Sequence, residues 1–363
     1  MKWRPWSWGC QYRSVLDAIV ARGAPAAFRM SNPVLVEVLR GEAVESRHTG
    51  AVVAVDAGGR KVLVLGDVKQ RVFPRSAIKA IQALPLVESG AADRYGFGPE
   101  ELALACASHS GEPGHVAVVE RMLARLSLDE SMLKCGVHWP IHQASAQALA
   151  RAGGVAQAVH NNCSGKHAGF LCLACAIGAD PTRYVQPSHP VQRLVRDTLE
   201  VLSGAPLPPE VCAVDGCSVP TWALPLDALA LAFARLATGA HMMPERARAA
   251  ARLREACTTW PWHVAGTGRF CTEVMTLFGA RLFLKTGAEG VYCAALPELG
   301  IGIAVKCDDG AGRAAEVMVA AALDRLLNND DDSAALKPFV RPAIRNWNGI
   351  AVGGIRPTEA FNP

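Results

Sequence analysis

One stretch of the sequence reads His160-Asn-Asn-Cys-Ser-Gly-Lys-His-Ala-Gly-Phe170 and leads into an apolar run that ends at Ile177. Imidazoles, carboxamides, a thiol, a hydroxyl and an ammonium therefore stand directly before a hydrophobic helix. Such polar groups are costly to bury unless they bind a ligand or one another. Cys163 and Lys166 are three residues apart, so they share one face at a helix start. The stretch predicts either a polar site at this helix N-terminus or an ordinary start capped by Asn162 or Ser164.

The composition is that of a globular protein, with 363 residues of which 50% are hydrophobic and 19% charged. The net charge of +4 is spread without a basic, aromatic-rich block, which argues against nucleic-acid binding. No apolar run reaches the roughly 18 residues of a membrane span. Without a secretory signal, the twelve cysteines predict a cytoplasmic protein without a disulfide framework. Cys172 and Cys175 lie in the apolar run, which favours core residues over a redox pair.

The N-terminal residues differ from the rest of the chain. They carry closely spaced tryptophans, and Asp17 and Arg22 interrupt their apolar residues, which argues against a signal peptide. We therefore expect a flexible N-terminal extension at 1–30, a single domain at 31–356 and a tail at 357–363.

Strand patterns occur at both ends of the chain and helical patterns lie between them. Alternating apolar residues or short apolar runs bounded by turns predict strands at 33–40, 51–56, 61–65, 280–285, 291–296 and 301–306. Helical periodicity marks 76–86, 99–106, 115–126, 144–152, 165–177, 190–202, 226–237, 244–257 and 314–327.

This order predicts an α+β fold in which the two ends of the chain meet. The N- and C-terminal strands would form one antiparallel sheet with flanking helices, backed by the last helix. A sheet lobe is assigned to about 31–75 and 262–340, and a central helical lobe to about 76–261. We find no internal repeat.

Ser76 and Lys79 form a Ser-x-x-Lys motif at the start of a predicted helix. One helical turn places the lysine amine beside the hydroxyl, and a serine needs such a base to become a nucleophile. Lys285-Thr286-Gly287 ends a predicted strand much later. In this order the two motifs are typical of serine β-lactamases and penicillin-binding proteins.

Other loops offer further polar groups. A Ser/Gly loop supplies a second hydroxyl, from Ser108 or Ser110, or is a turn with a capping box. A Gly/Pro turn carries Asp215 and Cys217. Cys163 and Cys217 with a third donor would make a soft zinc site; otherwise the turn simply buries a cysteine. The Gly-rich segment from 266 to 273 lacks the strand–loop–helix context of a phosphate-binding loop.

Six separated blocks, taken together, resemble the Rhizobium-type (class 3) L-asparaginases, the asparaginase II family. The blocks are Arg75–Lys79, Ala107–Gly111, His160–His167, Asp215–Cys217, Gly266–Arg269 and Lys285–Gly287. The resemblance extends over roughly residues 33–356 and includes Asn346–Ile350 near the end.

The resemblance implies a serine β-lactamase-like fold that acts as an amidohydrolase on L-asparagine, in asparagine catabolism, as a homodimer. It implies two Ser–Lys tandems, Ser76–Lys79 and Ser108–Lys285. It implies a zinc ion, required or auxiliary, on Cys163, Lys166 and Cys217. Around the substrate it places Arg75, His167, Asp215 and Cys271.

Two other functions stay open at this point. One is another Ser–Lys hydrolase of the same fold, such as a glutaminase, a β-lactamase or a D,D-peptidase. The other is a non-catalytic zinc-binding protein, which would leave Ser76, Lys79 and Lys285 without a purpose.

Overall fold

The computed structural model of the protein describes residues 31–361, and the extension predicted at 1–30 lies outside them. The strands are β1 (Val34–Arg40), β2 (Ala43–Asp56), β3 (Lys61–Leu65), β4 (Arg71–Val72), β5 (Cys212–Val214), β6 (Pro220–Trp222), β7 (Leu224–Pro225), β8 (Phe283–Thr286), β9 (Val291–Leu296), β10 (Ile301–Cys307), β11 (Ala343–Arg345) and β12 (Ala351–Pro357).

The helices begin after the first four strands. They are α1 (Lys79–Gln82), α2 (Leu84–Glu88), α3 (Ala91–Arg94), α4 (Pro99–Ala105), α5 (Pro113–Arg125), α6 (Gln143–Arg151), α7 (Ser164–Ala176), α8 (Pro190–Ser203), α9 (Leu226–Thr238), α10 (Pro244–Thr259), α11 (Pro261–Val264), α12 (Phe270–Phe278), α13 (Gly312–Leu327) and α14 (Asp330–Val340). From 31 to 361, none of them combines the length and the apolar character that crossing a bilayer requires.

Within the described residues, eight strands form one sheet in the order β11-β12-β1-β2-β10-β9-β8, with β3 also paired to β2. Its neighbouring strands all run antiparallel. The early strand β2 pairs directly with the late strand β10. The predicted α+β class, with one antiparallel sheet built from both ends of the chain, is confirmed.

Helices cover both faces of this sheet. An added Cβ at Gly302 of β10 would lie 2.1 Å from Ala230 O of α9, so this glycine lets the helix approach closely. An added Cβ at Gly50 of β2 would lie 3.1 Å from Cε of Met318 in α13. Gly302 pairs with Val55, which is five residues from Gly50, so the two glycines face opposite sides. The sheet is therefore buried between α9 and α13.

The helix predicted over 76–86 is broken into shorter pieces. A 3₁₀ turn covers Arg75–Ile78, α1 follows at once, and α2 begins after Ala83. Pro85 lies in the first turn of α2, where its missing N–H costs no hydrogen bond. The predicted motif Ser76–Lys79 therefore spans the junction between a 3₁₀ turn and an α-helix.

The C-terminal segment is the main correction to the predicted fold. β11 and β12 lie beyond residue 340, where the sheet lobe was predicted to end. Thr358 Oγ1 donates to Val34 O at 2.8 Å and Phe361 is buried, so 357–361 are packed on the sheet instead of forming a tail. Gly353 explains the missed strand, because glycine is rare in strands. An added Cβ there would lie 1.9 Å from Leu39 O.

Candidate active site

Ser108 lies between two buried lysine side chains. Its Oγ accepts hydrogen bonds from Lys79 Nζ at 3.0 Å and from Lys285 Nζ at 2.8 Å. Both lysines are 0% exposed and Ser108 is 4% exposed. Ser110 Oγ donates instead to Ala265 O at 2.8 Å. Of the two hydroxyls left open by the sequence, Ser108 is therefore the one that reaches the lysines.

Segments far apart in the sequence supply this cluster. Lys79 begins α1, Ser108 follows α4, and Lys285 lies in β8. Gly287 brings the last segment against the first, because an added Cβ there would lie 2.6 Å from Pro74 O. The Lys-Thr-Gly segment therefore packs directly on the turn that carries Ser76.

Further acceptors hold the Lys79 amine in place. It donates to the carbonyl oxygen of Ala107, to Asn162 O at 3.3 Å and to Cys163 Sγ at 3.1 Å. The amine thus joins the Ser108 loop to the start of α7. The sequence could not reveal the carbonyl partners, because backbone acceptors have no residue signature.

Ser76 is half-buried, and from 31 to 361 no hydrogen bond joins its Oγ to Lys79. The residue before it, Arg75, has a φ of 50°, in the left-handed region that non-glycine residues rarely adopt. Such conformations cluster at functional sites. The structure therefore leaves the Ser76 hydroxyl unengaged by Lys79 and directs that lysine to Ser108.

Arg75 connects this turn to the loop between β5 and β6. Its Nε donates to Asp215 Oδ1, which also accepts from Gly216 N at 2.7 Å. Asp215 Oδ2 lies 3.9 Å from Cys217 Sγ. A Ser218 φ of 73° tightens the turn, and Ser218 N donates to Asp215 O at 2.8 Å. Arg75, Asp215 and Cys217, which the sequence placed in one site, are therefore brought together.

Cys163, Lys166 and Cys217 form a buried cluster beside Lys79. Lys166 Nζ lies 2.9 Å from Cys217 Sγ, and Lys79 Nζ lies 3.1 Å from Cys163 Sγ. The neighbouring Cys217, together with the positive charges of Lys79 and Lys166, holds the pKa of the Cys163 thiol well below its ordinary value. These effects outweigh burial, which by itself would raise that pKa. Burial alone would lower the pKa of Lys166. The charges of Cys217 and Cys163 together have the larger effect and raise this pKa above its ordinary value, so the amine is protonated.

The helix start that carries this cluster is not capped as the sequence suggested. Cys163 occupies the N-cap position of α7 without a side-chain cap bond, so neither Asn162 nor Ser164 is the cap. Ser164 Oγ donates to Val159 O at 2.8 Å and lies 2.9 Å from His109 Nε2. The hydroxyl of Ser164 is therefore used in contacts with neighbouring segments instead of capping the helix.

Lys285 has the pKa expected of a base at neutral pH. Burial, with the charge of Lys79 nearby, lowers the pKa of Lys285 to about 7. A substantial fraction of this amine is therefore unprotonated at pH 7 and can accept a proton.

His167 and Cys271 lie near the same cluster. His167 Nδ1 is 2.6 Å from Tyr184 OH, and its buried Nε2 has no partner among the described residues. Burial, with Lys166 adjacent, lowers the pKa of His167 well below its ordinary value, so the ring is neutral. Burial raises the pKa of Cys271, whose sulfur contacts the Thr286 backbone. Tyr184 has no sequence signal that could have placed it here.

The cysteines of the described part of the chain are not paired with one another. All eleven within 31–361 are free. Cys172 is fully buried in α7, which agrees with its assignment as a core residue, whereas Cys175 is only half-buried.

Two buried lysines thus converge on the Ser108 hydroxyl, beside a sheet assembled from both ends of the chain. The chain belongs to the L-asparaginase II family, whose family model matches residues 36–357. A comparison with curated proteins finds no match.

Several solved structures resemble the fold at low identity. The native form of a protein called Mglu is 16% identical, with a TM-score of 0.40 over 77% of this chain and 64% of that one. A β-lactamase from Mycobacterium bovis is 14% identical, with a TM-score of 0.35 over 73% of this chain and 89% of that one. The chain thus spans less than two thirds of the Mglu chain.

Proposed function

We propose that this chain is an L-asparaginase, which hydrolyses L-asparagine to L-aspartate and ammonia by Ser–Lys nucleophilic catalysis. The observation that carries the proposal is the Ser108 hydroxyl held by Lys79 and Lys285 beside the Ser76 turn. Membership of the L-asparaginase II family supports the amide substrate.

In the proposed first half-reaction, Ser76 Oγ attacks the side-chain carboxamide carbon of asparagine. Its proton passes to the amine of Lys79, one turn further along the chain. The carbon–nitrogen bond breaks, the departing nitrogen takes up that proton, and ammonia leaves. A β-aspartyl ester on Ser76 remains.

In the second half-reaction, water attacks the ester carbon. Lys285, whose pKa is about 7, takes the water proton through the Ser108 hydroxyl. The carbon–oxygen bond to Ser76 breaks, the proton held by Lys285 returns through Ser108 to Ser76 Oγ, and aspartate leaves. Ser108 thus serves as a proton relay, which fits its burial between two amines.

A reversed assignment, with Ser108 as the nucleophile, rests on one specific observation. Both lysines hydrogen-bond Ser108 Oγ, and no such bond reaches Ser76 from Lys79 in the described part of the chain. Against it stands the 4% exposure of Ser108, which leaves a substrate little room to approach. Ser76 is half-buried and follows a strained residue, so we retain it as the nucleophile.

The charged groups beside Ser76 suit the ends of an amino acid. Arg75 would bind the α-carboxylate of the substrate, and Asp215 would bind the α-ammonium through Oδ2. Asp215 Oδ1 is already engaged by Arg75 and Gly216 N. His167, whose Nε2 has no partner among the described residues, is a further donor or acceptor for substrate.

We also propose that Cys163, Lys166 and Cys217 bind zinc. Sulfur and nitrogen donors in mutual contact suit a tetrahedral zinc site with one open position. When bound, the ion would supply a positive charge that orients the substrate. Lys166 and Cys217 would each have to lose a proton, so zinc affinity should fall as the pH falls. The homodimer and the cytoplasmic location stay predictions.

Replacing Cys217 by serine should remove one equivalent of bound zinc per chain. The reason is that a hydroxyl is a far poorer zinc ligand than a thiolate. Atomic emission on the purified protein measures the loss, with Cys172→Ser, which changes another buried cysteine, as control. An unchanged zinc content in Cys217→Ser would contradict the assignment.

Asparagine should be the preferred substrate when asparagine, glutamine and a β-lactam are compared side by side. A pocket fitted to asparagine discriminates against one extra methylene by roughly 10–200-fold in kcat/KM. Ammonia release measures the two amides, and β-lactam ring opening is followed by absorbance. A preference for glutamine or for the β-lactam would select one of the other Ser–Lys hydrolases. No turnover of any of them would favour a non-catalytic zinc-binding protein.

A further inference from the structure

Among the described residues, one further group of side chains can supply three metal ligands. His48, Cys307 and Asp309 each place a ligand atom within 4.8 Å of the other two. His48 lies in β2, Cys307 ends β10, and Asp309 lies in the turn that leads to α13. None of the three takes part in the proposed catalytic cluster.

The sheet separates this group from the catalytic lysine. Lys285 pairs with Cys293, and Cys293 pairs with Ala304 of β10, so these side chains share one face. Cys307 is three residues after Ala304 and therefore points to the opposite face. Cys307 pairs with Gly50, and alternation along β2 places His48 on that same face. The group therefore lies on the α13 side of the sheet.

The three side chains are already drawn together around one carboxylate. His48 Nδ1 lies 2.6 Å from Asp309 Oδ2, and Cys307 Sγ lies 3.0 Å from Asp309 Oδ1. His48 is 6% exposed and Cys307 is 0% exposed, whereas the Asp309 side chain is 50% exposed. Soft donors are thus buried at the base of a site that opens to solvent on the carboxylate side.

Of the two imidazole nitrogens of His48, only Nδ1 has a hydrogen-bond partner among the described residues. His48 Nε2 is buried and has no hydrogen-bond partner from residue 31 to residue 361. A buried polar atom without a partner costs free energy. The contact of Nδ1 with Asp309 does not remove the cost of burying Nε2. Because Nδ1 is the nitrogen that faces Asp309, Nε2 stays unpaired with or without an ion bound between the three side chains.

We propose that His48, Cys307 and Asp309 bind a zinc ion, with solvent as the fourth ligand. Nitrogen, thiolate and carboxylate are the donors that zinc takes, at bond lengths of about 2.0–2.3 Å. Two such ligands in a tetrahedral shell lie roughly 3.3–3.8 Å apart. The present contacts would have to open by only about 1 Å to admit the ion. As the metal bonds form, the Cys307 thiol proton leaves to solvent and the His48 ring changes to the tautomer that carries its proton on Nε2.

The ion would join three elements that are otherwise linked through the sheet. It would tie β2 to the end of β10 and to the turn before α13, so we infer a structural role. A ligand that binds only the folded state raises the melting temperature as its concentration rises. The inference does not depend on the proposed asparaginase activity.

Zinc titration of the metal-free full-length protein tests the proposal. His48→Gln and Asp309→Asn should each bind one zinc fewer than the wild type. In both variants the melting temperature should also rise less on addition of zinc, because the contribution of this site is lost. Asp309 Oδ1 now accepts from Ala311 N at 2.9 Å, and the carboxamide oxygen introduced by Asp309→Asn can accept the same bond, so this variant should fold. Cys172→Ser is the control and should behave like the wild type.

Cobalt provides a direct view of the sulfur ligand. In protein carrying Cys163→Ser and Cys217→Ser, Co²⁺ should still give the charge-transfer absorption of a cobalt–thiolate bond. Adding Cys307→Ser should abolish it. Wild-type zinc stoichiometry in both His48→Gln and Asp309→Asn, or a cobalt–thiolate band that survives Cys307→Ser, would overturn the proposal.

Discussion

Ser76→Ala should lower the turnover of asparagine by on the order of 10⁴-fold or more, as removal of a nucleophile does in serine hydrolases. The half-buried Ser76 side chain makes no hydrogen bond to Lys79 in the described part of the chain, so its loss leaves that amine fully paired. The melting temperature should therefore stay close to that of the wild type. Ser46→Ala changes another half-buried serine, on β2, and should alter neither property.

Activity alone cannot separate the two serines, since Ser108→Ala should also be severely impaired. The decisive measurement is the position of a trapped acyl adduct. With a slowly deacylating substrate, the added mass should be found on the peptide that carries Ser76. It should accumulate in Ser108→Ala, where the proposed relay for deacylation is broken, and be absent from Ser76→Ala. An adduct on Ser108 would reverse the roles of the two serines.

Lys285→Met should lower activity by about 10²–10⁴-fold and at the same time stabilise the protein at pH 6. The activity falls because the proposed proton acceptor is lost. The stability rises because burial lowers the pKa of Lys285 from 10.5 to about 7. That difference corresponds to about 5 kcal/mol of destabilisation when the amine is protonated. Methionine fills a similar volume without a charge.

The pH dependence of Lys285 has a definite sign. Between pH 7 and 10.5 the unfolded chain binds more protons at this lysine than the folded chain does, so stability rises with pH across that window. The advantage of Lys285→Met should be largest below pH 7 and vanish above about pH 10.5. Melting curves at pH 6 and 10 measure this, with exposed Lys134→Met as control. The wild-type kcat/KM should rise through about pH 7. An equal advantage at both pH values would contradict the lowered pKa.

Periodicity predicted most of the fold because most elements have one buried face. α8 was expected at 190–202 and is found at Pro190–Ser203, and β9 was expected and found at Val291–Leu296. Periodicity failed where close backbone contact requires glycine in a strand, as at Gly353 of β12. It also failed around Pro85, where a continuous apolar pattern conceals several short helical pieces.

The candidate site was predictable where residues share a motif. Lys285 Nζ contacts Ser108 Oγ, and Lys166 Nζ contacts Cys217 Sγ, and the resemblance had implied both pairs. The direction of the Lys79 amine was not predictable. Spacing alone favours Ser76, whereas the tertiary fold offers Ser108 Oγ and the carbonyl oxygens of Ala107 and Asn162. Those acceptors depend on where distant loops meet.

During protein synthesis, strand β2 is made long before its partner β10. β2 ends at Asp56 and its partner does not begin until Ile301. At about 5–20 residues per second, a ribosome needs roughly 12–50 s to make the intervening chain. Throughout that interval the apolar edge of β2 that belongs to β10 has no native partner, and such edges template aggregation. Slower growth at low temperature, or a chaperone that shields nascent strands, should therefore raise the soluble yield of this protein more than that of a protein with locally paired strands.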